Sequence, residues 1–182
     1  MADRESYLLP ALFLIQAGVN LAFYGFPAVM FSVIIPNSLH RALPLLVIGY
    51  FALGIFALYN LSTPDFRKGR PLGVAYFGIG AVGSGAVIME SLNESPFFMG
   101  LFALWFISSL VGMFLLFRGV GVFPRLAFVV MALLGISALV SALTAQWVVQ
   151  DYHAHVHTGG IPDNATVIIA PPENVSPSNT TG

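Results

Sequence analysis

The sequence predicts an all-α integral membrane protein, a bundle of five transmembrane helices with a short polar C-terminal tail. Two observations carry that prediction. The first is composition: 57% of the 182 residues are hydrophobic and 8% are charged. A soluble domain carries about 25% charged residues, and a chain this poor in charge cannot cover a water-facing surface with polar groups. The same composition excludes a disordered chain, which needs low hydrophobicity. A formal net charge of -1 without a basic stripe excludes a nucleic-acid binder of the usual basic kind.

The second observation is where the charges fall. Between Glu5 and Arg41, Arg41 and Asp65, Arg70 and Glu90, Glu94 and Arg118, and Arg125 and Asp151 lie 35, 23, 19, 23 and 25 uncharged residues. One crossing of the hydrocarbon core takes about 20 apolar residues, so each interval holds one crossing and none comfortably holds two. The spans fall at about 8–32, 43–61, 72–91, 97–117 and 126–149, forming one transmembrane domain over 1–150. Residues 151–182 form the tail. The spans are helices, because lipid offers no partner to an unpaired backbone group. A barrel would alternate polar and apolar residues in short segments, and these runs do not.

The first span carries Pro10, Gln16, Asn20, Gly25 and Pro27. Pro27 is expected to kink it or to begin an interfacial turn. The span is not a cleavable signal, because its start lacks a positive segment and its apolar run is too long. Gln16 and Asn20 stand four apart and share a helical face. Such amides hydrogen-bond across helices in membranes; in a permease they would line the path.

The second span, 43–61, is apolar and leads to the basic loop holding Arg67, Lys68 and Arg70. The third is rich in small residues. Gly78, Ala81 and Gly85 share one face, and Gly73, Gly80 and Ser84 another. With Gly83, these let neighbouring backbones approach on two sides, which places this helix centrally. Gly78-Ile-Gly80-Ala-Val-Gly83 also matches the dinucleotide fingerprint. That motif has meaning only in a strand–turn–helix unit with an acid about 20 residues on. Val74-Ala-Tyr-Phe before it can be read as a strand, but the next strongly apolar segment opens with Phe97-Phe98 and carries no acid until Asp151, so the pattern is read as a packing face. Glu90 closes the third span on the outer side. An intramembrane acid is a functional candidate by default, but at a span end it reaches water cheaply. His40 and Arg41 are its natural partners, at the same depth.

The fourth span, from Phe97 to Phe117, is bulky and is expected to face lipid. The fifth repeats small residues at Ser137, Ser141 and Ala145. With five spans, Arg4, Arg67, Lys68, Arg70, Arg118 and Arg125 share one side, and Arg41 stands alone on the other. The positive-inside rule then puts the N-terminus in the cytoplasm and the tail outside the cell membrane. Sequons at Asn93, Asn164, Asn174 and Asn179 fall on the side assigned outside and match the N-glycosylation pattern; the plainer reading is a solvated polar tail.

The most chemically specific stretch is Asp151-Tyr-His153-Ala-His155-Val-His157. In an extended segment alternate side chains share a face. Three imidazoles so placed suit Cu(II), Zn(II) or Ni(II), with Asp151 as a fourth ligand. Continued as helix, the run would spread the three around the axis. There are no cysteines, so thiolate metal sites and disulfides are excluded.

No Ser-His-Asp set, paired catalytic carboxylates, HExxH or P-loop is present, so no enzyme is expected. The spans hold no histidine to ligate haem, and copper or zinc at the histidine run is the one cofactor considered. Three roles remain. The chain is a structural or accessory component of a membrane complex, meeting lipid and either another membrane protein or a second copy through small-residue faces. Alternatively it is a small-solute permease or channel subunit, with Gln16, Asn20 and Glu90 along the path. Or it handles copper or zinc outside the membrane. The first is favoured because no buried charged site is visible. The metal reading predicts that a His153/His155/His157 triple Ala variant binds Cu(II) or Zn(II) more weakly than wild type by calorimetry; equal affinity removes the site.

Overall fold

The computed structural model describes residues 4–22, 26–64, 66–90 and 96–158. Among the described residues every regular element is helical. Six α-helices run α1 Leu8–Ala22, α2 Phe26–Ile34, α3 Leu43–Leu61, α4 Gly69–Glu90, α5 Pro96–Arg118 and α6 Pro124–Thr158. Short 3-10 segments at Arg4–Tyr7, Asn37–Ala42 and Phe66–Lys68 lie between or before them. Four helices, α3 to α6, are long and apolar enough to cross a membrane.

The first span, over 8–32 with a kink or interfacial turn expected at Pro27, is two helices, α1 and α2, whose axes meet at 94°. Their 15 and 9 residues make α1 roughly 22 Å long and α2 roughly 14 Å, each short of the ~30 Å hydrocarbon core. Proline supplies the reason. Pro27 is the second residue of α2, a position that has no use for an N–H, whereas inside a continuous helix its ring would strike the preceding turn. The helix that begins at Phe26 therefore carries Pro27 in its first turn.

Contacts fix the direction of each helix. The Phe123 amide donates to the Ser6 carbonyl at 3.1 Å, and the rings of Tyr7 and Phe123 pack at 4.9 Å. Gly119 lies against the Arg70 side chain and Gly69 against Leu61. The start of α1, the α3–α4 connection and the α5–α6 connection thus share one end of the bundle. That end gathers Arg4, Arg67, Lys68, Arg70, Arg118 and Arg125. α1 runs parallel to α6, and α3 runs antiparallel to α4 with Gly54 against Tyr76. Leu43 therefore stands at the opposite end, and α1 and α2 together carry the chain to it. Gly119 closes α5 with φ at 77°. Its N–H reaches Leu116 O and that of Val120 reaches Leu115 O, both at 3.1 Å, the paired bonds of a Schellman stop.

α4 packs against α5, α3 and α2. It inserts two neighbouring rings into glycine gaps on either side: Tyr76 over Gly54 of α3 and Phe77 over Gly112 of α5. Gly73 faces Leu116, Gly78 faces Met113 and Gly85 faces Phe106, all on α5, while Gly83 lies under Met30 of α2. Ala81 and Ser84 are buried. The GxGxxG pattern thus lies inside a helix, with no strand before it. The expectation that the fourth span faces lipid needs correction. One side of α5 is exposed, at Ile107, Phe114 and Phe117, but Phe102, Trp105 and Leu116 are buried. Bulk on α5 is accommodated because α4 is small where the two meet.

These gaps rank the glycines. A Cβ at Gly112 would stand 2.6 Å from Phe77 Cζ, whereas one at Gly135 meets nothing within 4 Å. Gly112→Ala should cost about 1–3 kcal/mol through overpacking. Gly135→Ala should be neutral or gain up to about 1 kcal/mol from helix propensity. Thermal unfolding in detergent checks the contrast.

Candidate functional site

A polar side chain inside an apolar bundle is costly unless it is hydrogen-bonded. Among the described residues the buried amides and serines are Gln16, Asn20, Ser84, Ser108, Ser109, Ser137 and Ser141. All are neutral, and most belong to two clusters organised by α1, which presents Gln16 and Asn20 one turn apart.

The first cluster joins α1 to α5 and α3. Gln16 Nε2 donates to Ser109 Oγ at 2.9 Å and to Ser108 Oγ at 3.3 Å. The Tyr50 hydroxyl reaches Gln16 Oε1 at 3.5 Å. Ser108 donates onward to Trp105 O at 2.9 Å. Aromatic rings wall the cluster. Phe13, Tyr76 and Tyr50 form a stack with centroids 4.9 and 4.5 Å apart and both interplanar angles 17°. Phe26 of α2 stacks on Phe102 at 4.1 Å and on Trp105 at 4.8 Å. Gly80 of α4 faces this space. A Cβ there would lie 2.8 Å from Ser109 Oγ, 2.9 Å from Tyr50 Oη and 3.1 Å from Trp105 Nε1. The Tyr76 hydroxyl and Trp105 Nε1 are buried and bond to no described group.

The second cluster joins α1 to α6. Asn20 Nδ2 donates to Ser137 O at 3.2 Å, and Ser141 Oγ donates to Asn20 Oδ1 at 2.7 Å. Ser137 Oγ adds a bond of 3.4 Å to Ala17 O. Ser84, by contrast, bonds back to Gly80 O of its own helix at 2.5 Å. Together the clusters are neutral donors and acceptors, and the chemistry they support is helix pairing and the binding of neutral hydrogen-bonding groups.

The structure thus brings Gln16, Gly80 and Ser109 together and sets Asn20 beside Ser137 and Ser141. Tyr50, Tyr76, Trp105 and the Ser108-Ser109 pair were missed by sequence reasoning. A signal existed: Tyr and Trp favour the ends of spans, and these three stand well inside theirs. Glu90 is the last residue of α4, with its side chain outside the described residues. Asn93, Asn164, Asn174 and Asn179 also lie outside them.

The histidine run differs from the extended segment expected. Its backbone continues α6 as far as Thr158. No proline or glycine interrupts it between Gly135 and Gly159, so nothing stops the helix sooner. At about 100° per residue, positions 153 and 157 lie on one face and 155 nearly opposite. Among the described residues there is no group of three His, Cys, Asp or Glu able to hold a metal ion. The side chains of Asp151, His153, His155 and His157 lie outside them.

Outside the polar clusters, α2, α3 and α4 border a groove of about 530 Å³ lined by apolar residues, among them Phe31, Ile34, Leu46, Gly78, Ile79 and Val82. No family model, curated protein or solved structure matches the chain.

The Asn20–Ser141 bond is the shortest tie between α1 and α6. A double-mutant cycle of Asn20→Ala and Ser141→Ala, read by unfolding in mixed micelles, should give a coupling of about 0.6 kcal/mol and at most about 1.7, the range of such bonds in membranes. Additive losses would show that the pair is not coupled.

Proposed function

We propose that this chain is a structural or accessory component of a membrane complex. It crosses the cell membrane five times, with α1 and α2 forming one broken crossing. In this reading the N-terminus is cytoplasmic and the tail extracytoplasmic, because the basic end of the bundle is the retained side under the positive-inside rule. The role is non-catalytic, and its partners are lipid and another membrane protein or a second copy.

One observation carries the reading. Gln16 and Asn20 spend their amides on α5 and α6. They serve as ties between helices, and the rings of Phe13, Tyr76 and Tyr50 fill the space beside Gln16. A permease would instead turn such groups toward a solute path. Exposed apolar residues on α6, including Ile136, Leu139 and Leu143, offer a surface to lipid or to a partner helix.

Two measurements test the proposal. Reconstituted into liposomes, the full chain should leave the equilibration of glycerol and urea at the rate of empty vesicles. A faster rate that Gln16→Leu abolishes would overturn the accessory role in favour of a permease. In its native membrane, a photocrosslinker at Leu139 or Leu143 should join the chain to one reproducible partner, whereas crosslinks to lipid alone would count against a complex.

A further inference from the structure

The groove between α2, α3 and α4 has the shape and position of a lipid-chain site. Its space of about 530 Å³ lies within the roughly 300–1,000 Å³ of ordinary ligand pockets. Small residues leave the room. Ala75 and Gly78 of α4 line it, and a Cβ at Gly49 of α3, in the adjoining depression, would meet nothing within 4 Å. Phe31 and Ile34 of the short α2 form the third wall. The adjoining depression, of about 240 Å³, shares Phe31, Leu46 and Ile79 with the groove and extends it along α3 as far as Leu53. Tyr50 lines it too, but the Tyr50 hydroxyl is turned to Gln16. The walls are thus hydrocarbon and ring. Leu46, Ile79 and Val82 are exposed at the edge, so the groove opens onto the side of the bundle.

Depth, width and charge select the occupant. Gly54 packs against Tyr76 at a level roughly 16 Å along α3 from Leu43. Ile79 and Val82 stand roughly 5 and 9 Å from Tyr76 toward the Leu43 end. The groove therefore occupies the half of the bundle away from the clustered cations, the depth of one leaflet in a hydrocarbon core of about 30 Å. Spread over the roughly 11 Å from Ala75 to Val82, its volume gives a cross-section of roughly 50 Å², about half that of a helix. A partner helix is too thick to enter, whereas a single hydrocarbon chain is not. The segment Asn37–Ala42 joins the two helices α2 and α3 that wall the groove. It carries Arg41, exposed and, among the described residues, the one Lys or Arg at this end of the bundle. A guanidinium has five donors in a fork that matches phosphate. We propose that the groove holds one acyl chain of a phospholipid whose phosphate meets Arg41, while the second chain stays in the bilayer. The assignment rests on α3 and α4 crossing a membrane and is independent of the accessory role.

The test uses the full chain in micelles, read by native mass spectrometry with palmitoyl-oleoyl phosphatidylglycerol as the probe. One retained lipid is expected. The diacylglycerol of the same chains should bind about tenfold more weakly, the effect of one hydrogen bond to a charged group. Arg41→Gln should weaken the phospholipid by about the same factor and leave the diacylglycerol unchanged. Ala75→Phe fills the groove and should remove both, whereas Val129→Phe, at an exposed position of α6, should remove neither. Equal retention of the two lipids by wild type, or retention that Ala75→Phe does not change, overturns the proposal. Because Ala75→Phe also strains α4, a second measurement uses the wild-type chain in phosphatidylglycerol liposomes. A trace of the same lipid carries a diazirine midway along one chain. Crosslinks should concentrate at Phe31, Leu46 and Ile79 over the exposed Ile107 and Leu139. An even spread is ordinary boundary lipid and overturns the proposal. So does a photocrosslinker at Val82 that, in the native membrane, captures a protein helix instead of lipid.

Discussion

An amide side chain in hydrocarbon has nowhere to turn but another helix, and the arrangement of α1 follows from that constraint. α1 is too short to cross alone and carries two amides on one face. Gln16 commits it to α5 and, through Tyr50, to α3; Asn20 commits it to α6. Once those bonds are made, the height and rotation of α1 are set. Sliding it by one residue would strand both amides, each at the cost of an unmet buried polar group. The apolar surface of α1 alone would not define such a register, since lipid chains are as apolar as leucine.

A second mechanism holds the rest of the bundle: the fit of rings into missing side chains. Tyr76 and Phe77 leave α4 toward different neighbours and enter the gaps at Gly54 and Gly112. Within a membrane, association draws on close van der Waals packing more than on water exclusion. A ring seated on bare backbone gains many contacts at once. The two mechanisms meet at Tyr76, whose ring is also the middle layer of the stack from Phe13 to Tyr50. The α1 tie and the α4 packing are consequently one structure, and loosening either one exposes the other.

Much of this was legible in the sequence, for physical reasons that differ by element. Charge is too costly to place in lipid, so the uncharged intervals located α3, α4, α5 and the apolar part of α6. Pro27 marked the discontinuity in the first segment, but only the local geometry around it could show that the break is a sharp bend. Gln16 and Asn20 stood out because amides are rare in such runs. Their partners did not, because serine is common in apolar helices and spacing alone does not tell which serine faces which helix. α5 was misread for a related reason: bulk signals lipid exposure only when the neighbouring helix is not itself built of glycine. The alternation of the histidine run gathers its positions on one face only in an extended segment, and the backbone there is helical. A helix with nothing to stop it before Gly159 simply continues, and that separates His155 from His153 and His157.

Polarity in the molecule is sorted by depth. Cations gather at the end where the chain starts, neutral hydrogen-bonding groups occupy the middle, and the faces between are apolar. A charged pair at mid-depth would have to offset its desolvation with near-ideal geometry. Neutral amides and hydroxyls avoid that cost and still give direction. They specify the helix arrangement strongly while storing little energy, as expected of bonds averaging about 0.6 kcal/mol in membranes. A transport path would need polar groups that exchange partners as a solute passes. Here Ser109 and Ser141 hold Gln16 and Asn20 within 3 Å, and stacked rings pack beside them. For such a molecule the surface available for recognition is the outer one. The exposed side of α6, with Ile136, Leu139 and Leu143, is where the proposed accessory role would place contact with lipid or a partner helix.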